Sequence, residues 1–302
     1  MRTTRQFIVF LLLAGLCQGI PSRGQTPIVQ SDLSIPSKVA PAYFGPNAFP
    51  VPEVPLGRLE GRFSAELAGD LFWGKGRAFS EDVTYGPFLR LDFPLWSNRA
   101  SLGIWMPVVE WWSYGPEVAA MRRLVSHPGG GAGHDTGDVY VSANLHVVTE
   151  RGARPDVLVR AVLKTASGNT FDQARYYDAP GYFFDATVAK SLRWQDGFVG
   201  ELRGALSAGF LCWQTDNGRQ NDAVQLGVLA MLDTRVARLT AQCAAYIGWE
   251  GDGDAPVVAR VALDFPCLTS KIIPFVSFEQ GIRDYPFTHV RAGLRYLAGP
   301  RR

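Results

Sequence analysis

The stretch RLEGRFSAELAGDLFW, residues 58–73, alternates, with only Ala68 and Phe72 apolar on the polar phase. Leu59, Gly61, Phe63, Ala65, Leu67, Gly69, Leu71 and Trp73 fall on one phase, and Arg58, Glu60, Arg62, Ser64, Glu66 and Asp70 on the other. A period of two is that of a pleated strand, whose successive side chains point to opposite faces. The run outlasts an ordinary globular strand and supplies the roughly 9 to 11 residues that a tilted strand needs to cross hydrocarbon. A slip of one residue would turn Arg62 and Glu66 onto the apolar face, and an Arg at a bilayer midplane costs about 2–4 kcal/mol. The register is therefore set by the charges.

The same pattern returns along the chain at Val83 to Phe93, Ala100 to Val108, Val139 to Val147, Val157 to Leu163, Tyr182 to Val188 and Phe198 to Phe210. It is weaker near 223–232, clear at 236–249 and 257–265, ambiguous at 272–282, and closes at 289–297. The reading predicts an all-β fold, a transmembrane antiparallel β-barrel of about twelve strands occupying residues 58–302; an even number of strands returns both ends of the sheet to one side. Joins near 94–99, 150–155, 194–197, 232–235 and 266–271 are short and alternate with longer ones, above all 113–137 and 166–181. Short turns on one side and long loops on the other are the habit of such barrels. Trp73, Tyr85, Trp112, Tyr182, Phe210 and Trp249 are placed in a girdle at the long-loop end, and Phe93, Phe198, Phe265 and Tyr296 in one at the short-turn end. Lys190 and Glu110 fall on the apolar phase near strand ends, where a long stem can reach water.

Ahead of the strands, Arg2 and Arg5 precede the apolar run Phe7 to Leu16 and then small residues. This is the layout of a cleaved signal peptide, residues 1–24, with Gly19 or Gly24 as the small residue before the cut. Leu16 argues against lipidation of Cys17. Residues 25–57 carry Pro36, Pro41, Pro46, Pro50, Pro52 and Pro55, which deny donors to any ladder. With Tyr43, Phe44 and Phe49, this segment reads as an extended lead-in that docks on the barrel or enters its lumen.

The 302 residues are 19% charged and 47% hydrophobic, with a formal charge of +2, which gives no reason to expect a nucleic-acid partner. Cys212 and Cys243, placed on the lipid phase, and Cys267, in a turn, have no disulfide or metal spacing, and no cofactor or metal site is read. Asp135, Thr136 and Gly137 spell an aspartic-protease triplet without its buried strand or a second copy. The glycines at 129–131 and Gly133 read as a mobile loop with no strand-to-helix context to cradle phosphate. Glu250, Asp252 and Asp254 read as a solvated acidic loop rather than a calcium hand. His146 and His289 fall on the inward phase, where no serine partners them to make a lipid-modifying site, so no catalytic residue is assigned.

The inward phase instead collects Glu66, Arg90, Asp92, Asn144, Arg160, Lys164, Asp185, Arg203, Gln242, Arg260 and Arg291 as pore-lining candidates. An arginine-rich ring suits small hydrophilic, anionic solutes; the alternative is that Asp92, Glu201 and Asp264 pair with it across a closed interior. The expected function is a porin-like or transporter-like channel, with a closed structural or surface-binding barrel as the alternative and a lipid-modifying enzyme third.

At the end of the chain Arg291, Gly293, Tyr296 and Leu297 resemble the terminal signal of outer-membrane barrels. Across residues 58–297 the chain resembles Gram-negative outer-membrane β-barrel proteins, and the stretches Val39 to Pro55 and Asp178 to Asp185 resemble exported barrels of unassigned role. That resemblance implies outer-membrane lipid and the barrel-assembly machinery as partners, and an address in the cell outer membrane; it implies no particular solute.

Overall fold

The computed structural model describes residues 40–299, apart from positions 75, 77, 78, 80, 97, 169, 216–218, 248–254 and 267–270. The leader, Trp249, Cys267 and the carboxylates Glu250, Asp252 and Asp254 lie outside the described residues. Twelve antiparallel strands close on themselves: β1 (Phe63–Gly74), β2 (Val83–Leu95), β3 (Ala100–Pro107), β6 (Tyr140–Val148), β7 (Asp156–Lys164), β8 (Gly181–Arg193), β9 (Val199–Thr215), β10 (Arg219–Thr234), β11 (Arg238–Ile247), β12 (Val257–Asp264), β13 (Ile272–Arg283) and β14 (Phe287–Ala298). Each pairs with its neighbours in sequence, and β1 pairs with both β2 and β14, which closes the barrel.

The alternation read from the sequence is the alternation of faces. On β1, Leu67 is 61% exposed while Glu66 and Asp70 are buried inside; on β9, Leu206 is 65% exposed while Glu201 and Arg203 point inward and are buried. Repeated around twelve strands, the exposed leucines, valines and phenylalanines make a continuous apolar band, which hydrocarbon covers and water does not. Lys190, on this outward phase, turns its ammonium back to the 149–155 turn, where it meets the Gly152 carbonyl and Glu150.

Five local readings change. Residues 58–62 are not strand: the chain bends there, and β1 starts at Phe63. The long loop 113–137 is not irregular. It holds the hairpin β4 (Glu110–Tyr114) and β5 (Gly131–Asp135), with β4 paired to the long-loop end of β2, and a short helix α1 (Pro116–Arg122) between them. Gly131 and Gly133 are thus ladder residues rather than parts of a mobile loop. Between β3 and β4 the partner of β2 changes, Phe88 facing Pro107 but Tyr85 facing Trp111. The extra residue reverses the faces, so Glu110 and Trp112, expected on the lipid phase, are buried inside, while Trp111 stacks outward on Tyr85. Cys212 keeps the outward phase but is fully covered. Finally, the joins read at 214–222 and 283–288 span only 216–218 and 284–286, because the strands on either side run further than their alternation.

Two strands were weakly patterned for a common reason. β10 has Leu229 and Met231 inside, and β13 has Ile273 and Phe275 inside, so both faces are apolar. What covers β10 from within is the Pro-rich segment: Val54 packs on Gly227 so closely that a Cβ there would stand 2.3 Å from a Val54 methyl.

Candidate functional site

Residues 40–57 pass down the inside of the barrel, from the long-loop end to the short-turn end. A segment without a sheet partner must find partners for its backbone groups elsewhere. Prolines reduce the demand to carbonyls, and the barrel wall answers with long donors. Arg260 donates to the carbonyls of Val51 (2.5 Å) and Pro52 (3.3 Å), Arg160 to that of Glu53 (2.7 Å), and Arg203 to that of Leu56 (2.7 Å). The Val54 N–H, one of the few donors left, meets Gln242 Oε1 at 2.8 Å. Four of the eleven expected pore-lining residues thus hold the segment rather than open water.

At the long-loop end the contacts are dry. Phe44, Ala48 and Phe49 are buried in one apolar cluster with Trp112, Trp213, Tyr246, Tyr285 and Phe287. Phe44 and Phe49 meet edge to face at 5.2 Å, and Tyr177 packs on both. Three bonds bridge polar groups in this layer: Asn47 and Tyr176 donate to Glu110, and Tyr285 donates to the Pro46 carbonyl at 3.0 Å. Above it, Asp82 accepts from Arg122 (2.6 Å) and Arg175 (3.0 Å), all three side chains fully buried, and Arg122 also donates to the Phe44 carbonyl at 2.9 Å. Burial, with the Arg175 charge beside it, holds the Arg122 guanidinium below its usual range against the pull of Asp82.

At the short-turn end the segment leaves through a left-handed turn at Gly57 (φ 75°), where a Cβ would strike that of Ala189 at 2.6 Å. Arg58 then makes a two-pronged pair with Glu201, at 2.7 and 2.9 Å. The Arg203 guanidinium, buried, also binds Asp156 (2.7 Å) and Ser191 (2.6 Å), and His146 meets Asp156 at 2.8 Å. In the turn nearby, burial works against the Glu150 carboxylate, yet the Ser191 N–H and the Lys190 ammonium hold its pKa below the usual carboxylate range.

All eleven sequence candidates face inward, but the sheet register pairs most of them off. Residues directly opposite on antiparallel strands share a face. Glu66 stands opposite Arg295 and Arg90, Arg160 opposite Asp185, Arg260 opposite Glu279, and Asp70 opposite Arg291. The resulting bonds are Arg295–Glu66 at 2.9 Å, Arg160–Asp185 at 2.6 Å, Arg291–Asp70 at 2.6 Å, and the close Arg260–Glu279 pair. Arg90 pairs with Asp92 at 3.1 Å along its own strand. Asn144 donates to Ser101 and Ser142. Lys164 lies near the long-loop end, buried on Asp138 at 2.6 Å. His289 stacks on Phe72 and meets Asp70 at 2.9 Å.

Sequence reasoning missed Arg122, which ends the short helix α1, Arg175, which sits in a loop without periodicity, and Glu53. The last had a signal: it is the sole carboxylate between residues 34 and 59.

The fold and its lining define a transmembrane β-barrel with an internal segment. No family model matches the chain, and no curated protein matches it either. Among solved structures, an outer-membrane channel from Pseudomonas putida F1 is similar at a TM-score of 0.52 and 12% identity, over 81% of this chain and 96% of that one. The NanC porin is similar at 0.49 and 11%, over 77% and 98%, and the KdgM porin at 0.48 and 11%, over 78% and 99%. At these identities the likeness is one of fold.

Proposed function

We propose that this protein is an outer-membrane channel closed by its own residues 40–57, through which small hydrophilic solutes pass when that segment moves. The observation that carries the reading is the ladder of Arg260, Arg160, Gln242 and Arg203 holding the backbone of residues 51–56. A sheet wall that only had to be filled needs apolar side chains; one that grips a removable strand needs long, directional donors. The apolar outer band, the short-turn and long-loop ends, and the porin and channel neighbours support the outer membrane as its place. The leader at 1–24 fits export, and Tyr296 and Leu297 on the last strand fit recognition by the assembly machinery.

The test is conductance in planar bilayers. Removal of residues 25–57 should turn a nearly silent protein into one with steady, ohmic steps. Because that variant loses part of its core, a second one keeps the segment: a Cβ at Gly227 would lie 3.6 Å from the Val54 Cβ, within disulfide range. Val54→Cys with Gly227→Cys should be silent when oxidised and regain wild-type openings on reduction. A folded deletion variant that stays silent, or a locked one that conducts like wild type, sinks the proposal in favour of a closed structural barrel.

A further inference from the structure

Beside the internal segment the lumen keeps a cavity of about 130 Å³, lined by Arg90, Arg160, Arg260 and Arg291. A void near 150 Å³ on this measure holds a benzene-sized molecule, so this one suits three or four carbon atoms. Each guanidinium is braced by a carboxylate: Arg160 by Asp185 and Arg291 by Asp70, both buried behind it, Arg90 by Asp92, and Arg260 by Glu279. Of these carboxylates only Glu279 reaches the cavity lining, and Arg260 occupies it. The cavity is therefore walled by four fixed guanidiniums, of which Arg260 is committed to Glu279 and to the Val51 and Pro52 carbonyls, and rings stiffen the wall further: Arg291 lies 3.5 Å over Phe88 and Arg90 5.2 Å over Trp105.

Into this cradle the internal segment inserts one acid, Glu53. Its side chain is 51% exposed, and its carboxylate stands 3.6 Å from Arg90, a looser pair than those behind it. Its hold on the wall is made by backbone, through Arg160, so the carboxylate is not needed to keep the segment in place.

Resting on the channel reading above, we propose that the cavity is a binding site for a small hydrophilic carboxylate of three or four carbons, and that Glu53 occupies it as a tethered competitor. A free carboxylate bound between the arginines takes the electrostatic place of Glu53, meeting the Arg90 guanidinium edge that Asp92 leaves open and that Glu53 now faces.

The probes are D-glycerate and its neutral counterpart glycerol, titrated at constant ionic strength into the full chain folded in detergent. The signal is the fluorescence of Trp105 and Trp213, which line the cavity. Glycerate should change it saturably and glycerol should not; Glu53→Gln should bind glycerate about tenfold tighter, and Arg90→Gln added to it should reverse that gain. Equal responses to the two probes, or a Glu53→Gln variant no tighter than wild type, would overturn the site. Binding in detergent needs no open pore, so this failure is distinct from silence in the bilayer.

Discussion

The long-loop end of the lumen and the wall of β14, β1 and β2 toward its short-turn end are built from opposite materials. Around residues 44–49, at the long-loop end, the segment is sealed by rings and by ion pairs that no water reaches: Asp82, Arg122 and Arg175 are fully buried. Toward the short-turn end, on the wall of β14, β1 and β2, the charges remain wet. Arg90 and Arg295 are about a third exposed, and Asp92 little less. A buried pair broken on one side leaves a naked charge, whereas a wet pair broken on one side is rehydrated. The same residue types therefore act as a seal at one end and as a polar lining at the other.

That contrast can be broken by substitution. Asp82→Ala strands two buried guanidiniums, and by the behaviour of broken buried pairs it should cost about 3–5 kcal/mol in urea unfolding followed by tryptophan fluorescence. A loss under about 1 kcal/mol would show that the seal is wet after all. Tyr285→Phe removes the donor to the Pro46 carbonyl and keeps the ring, so it should cost about 1 kcal/mol and raise the frequency of brief openings in the bilayer. No change in either would mean that this bond does not hold the segment. Asp92→Asn, on the wet wall, should cost less than about 1 kcal/mol, and that small effect should shrink further in 1 M salt. A larger, salt-independent loss would make the two ends alike.

The residues that grip the segment were partly legible. Arg160, Gln242, Arg203 and Arg260 announce themselves as inward-facing by parity alone, since each breaks an apolar alternation. What parity does not show is the pairing: register sets Asp185 against Arg160, Glu279 against Arg260 and Asp70 against Arg291, so these arginines face the lumen each with a carboxylate beside it. Register between neighbouring strands depends on turn geometry and bulges that the pattern of one strand does not contain. The reversal at Pro107 to Glu110 is of this kind: one added residue moved Trp112 from the expected girdle to the interior. Helix α1 and the β4–β5 hairpin were unreadable for a related reason, being short elements stabilised by packing on the segment rather than by their own periodicity.

Outside the shift at Pro107 to Glu110, the sequence by itself determined which side chains meet hydrocarbon and which meet the lumen, because a two-residue period acts locally and the cost of a charge in lipid enforces it. Only the tertiary structure decided what fills that lumen. The bonds of Pro46, Val51, Glu53 and Leu56 reach partners more than a hundred residues away, and contacts of that span exist only once the barrel has closed.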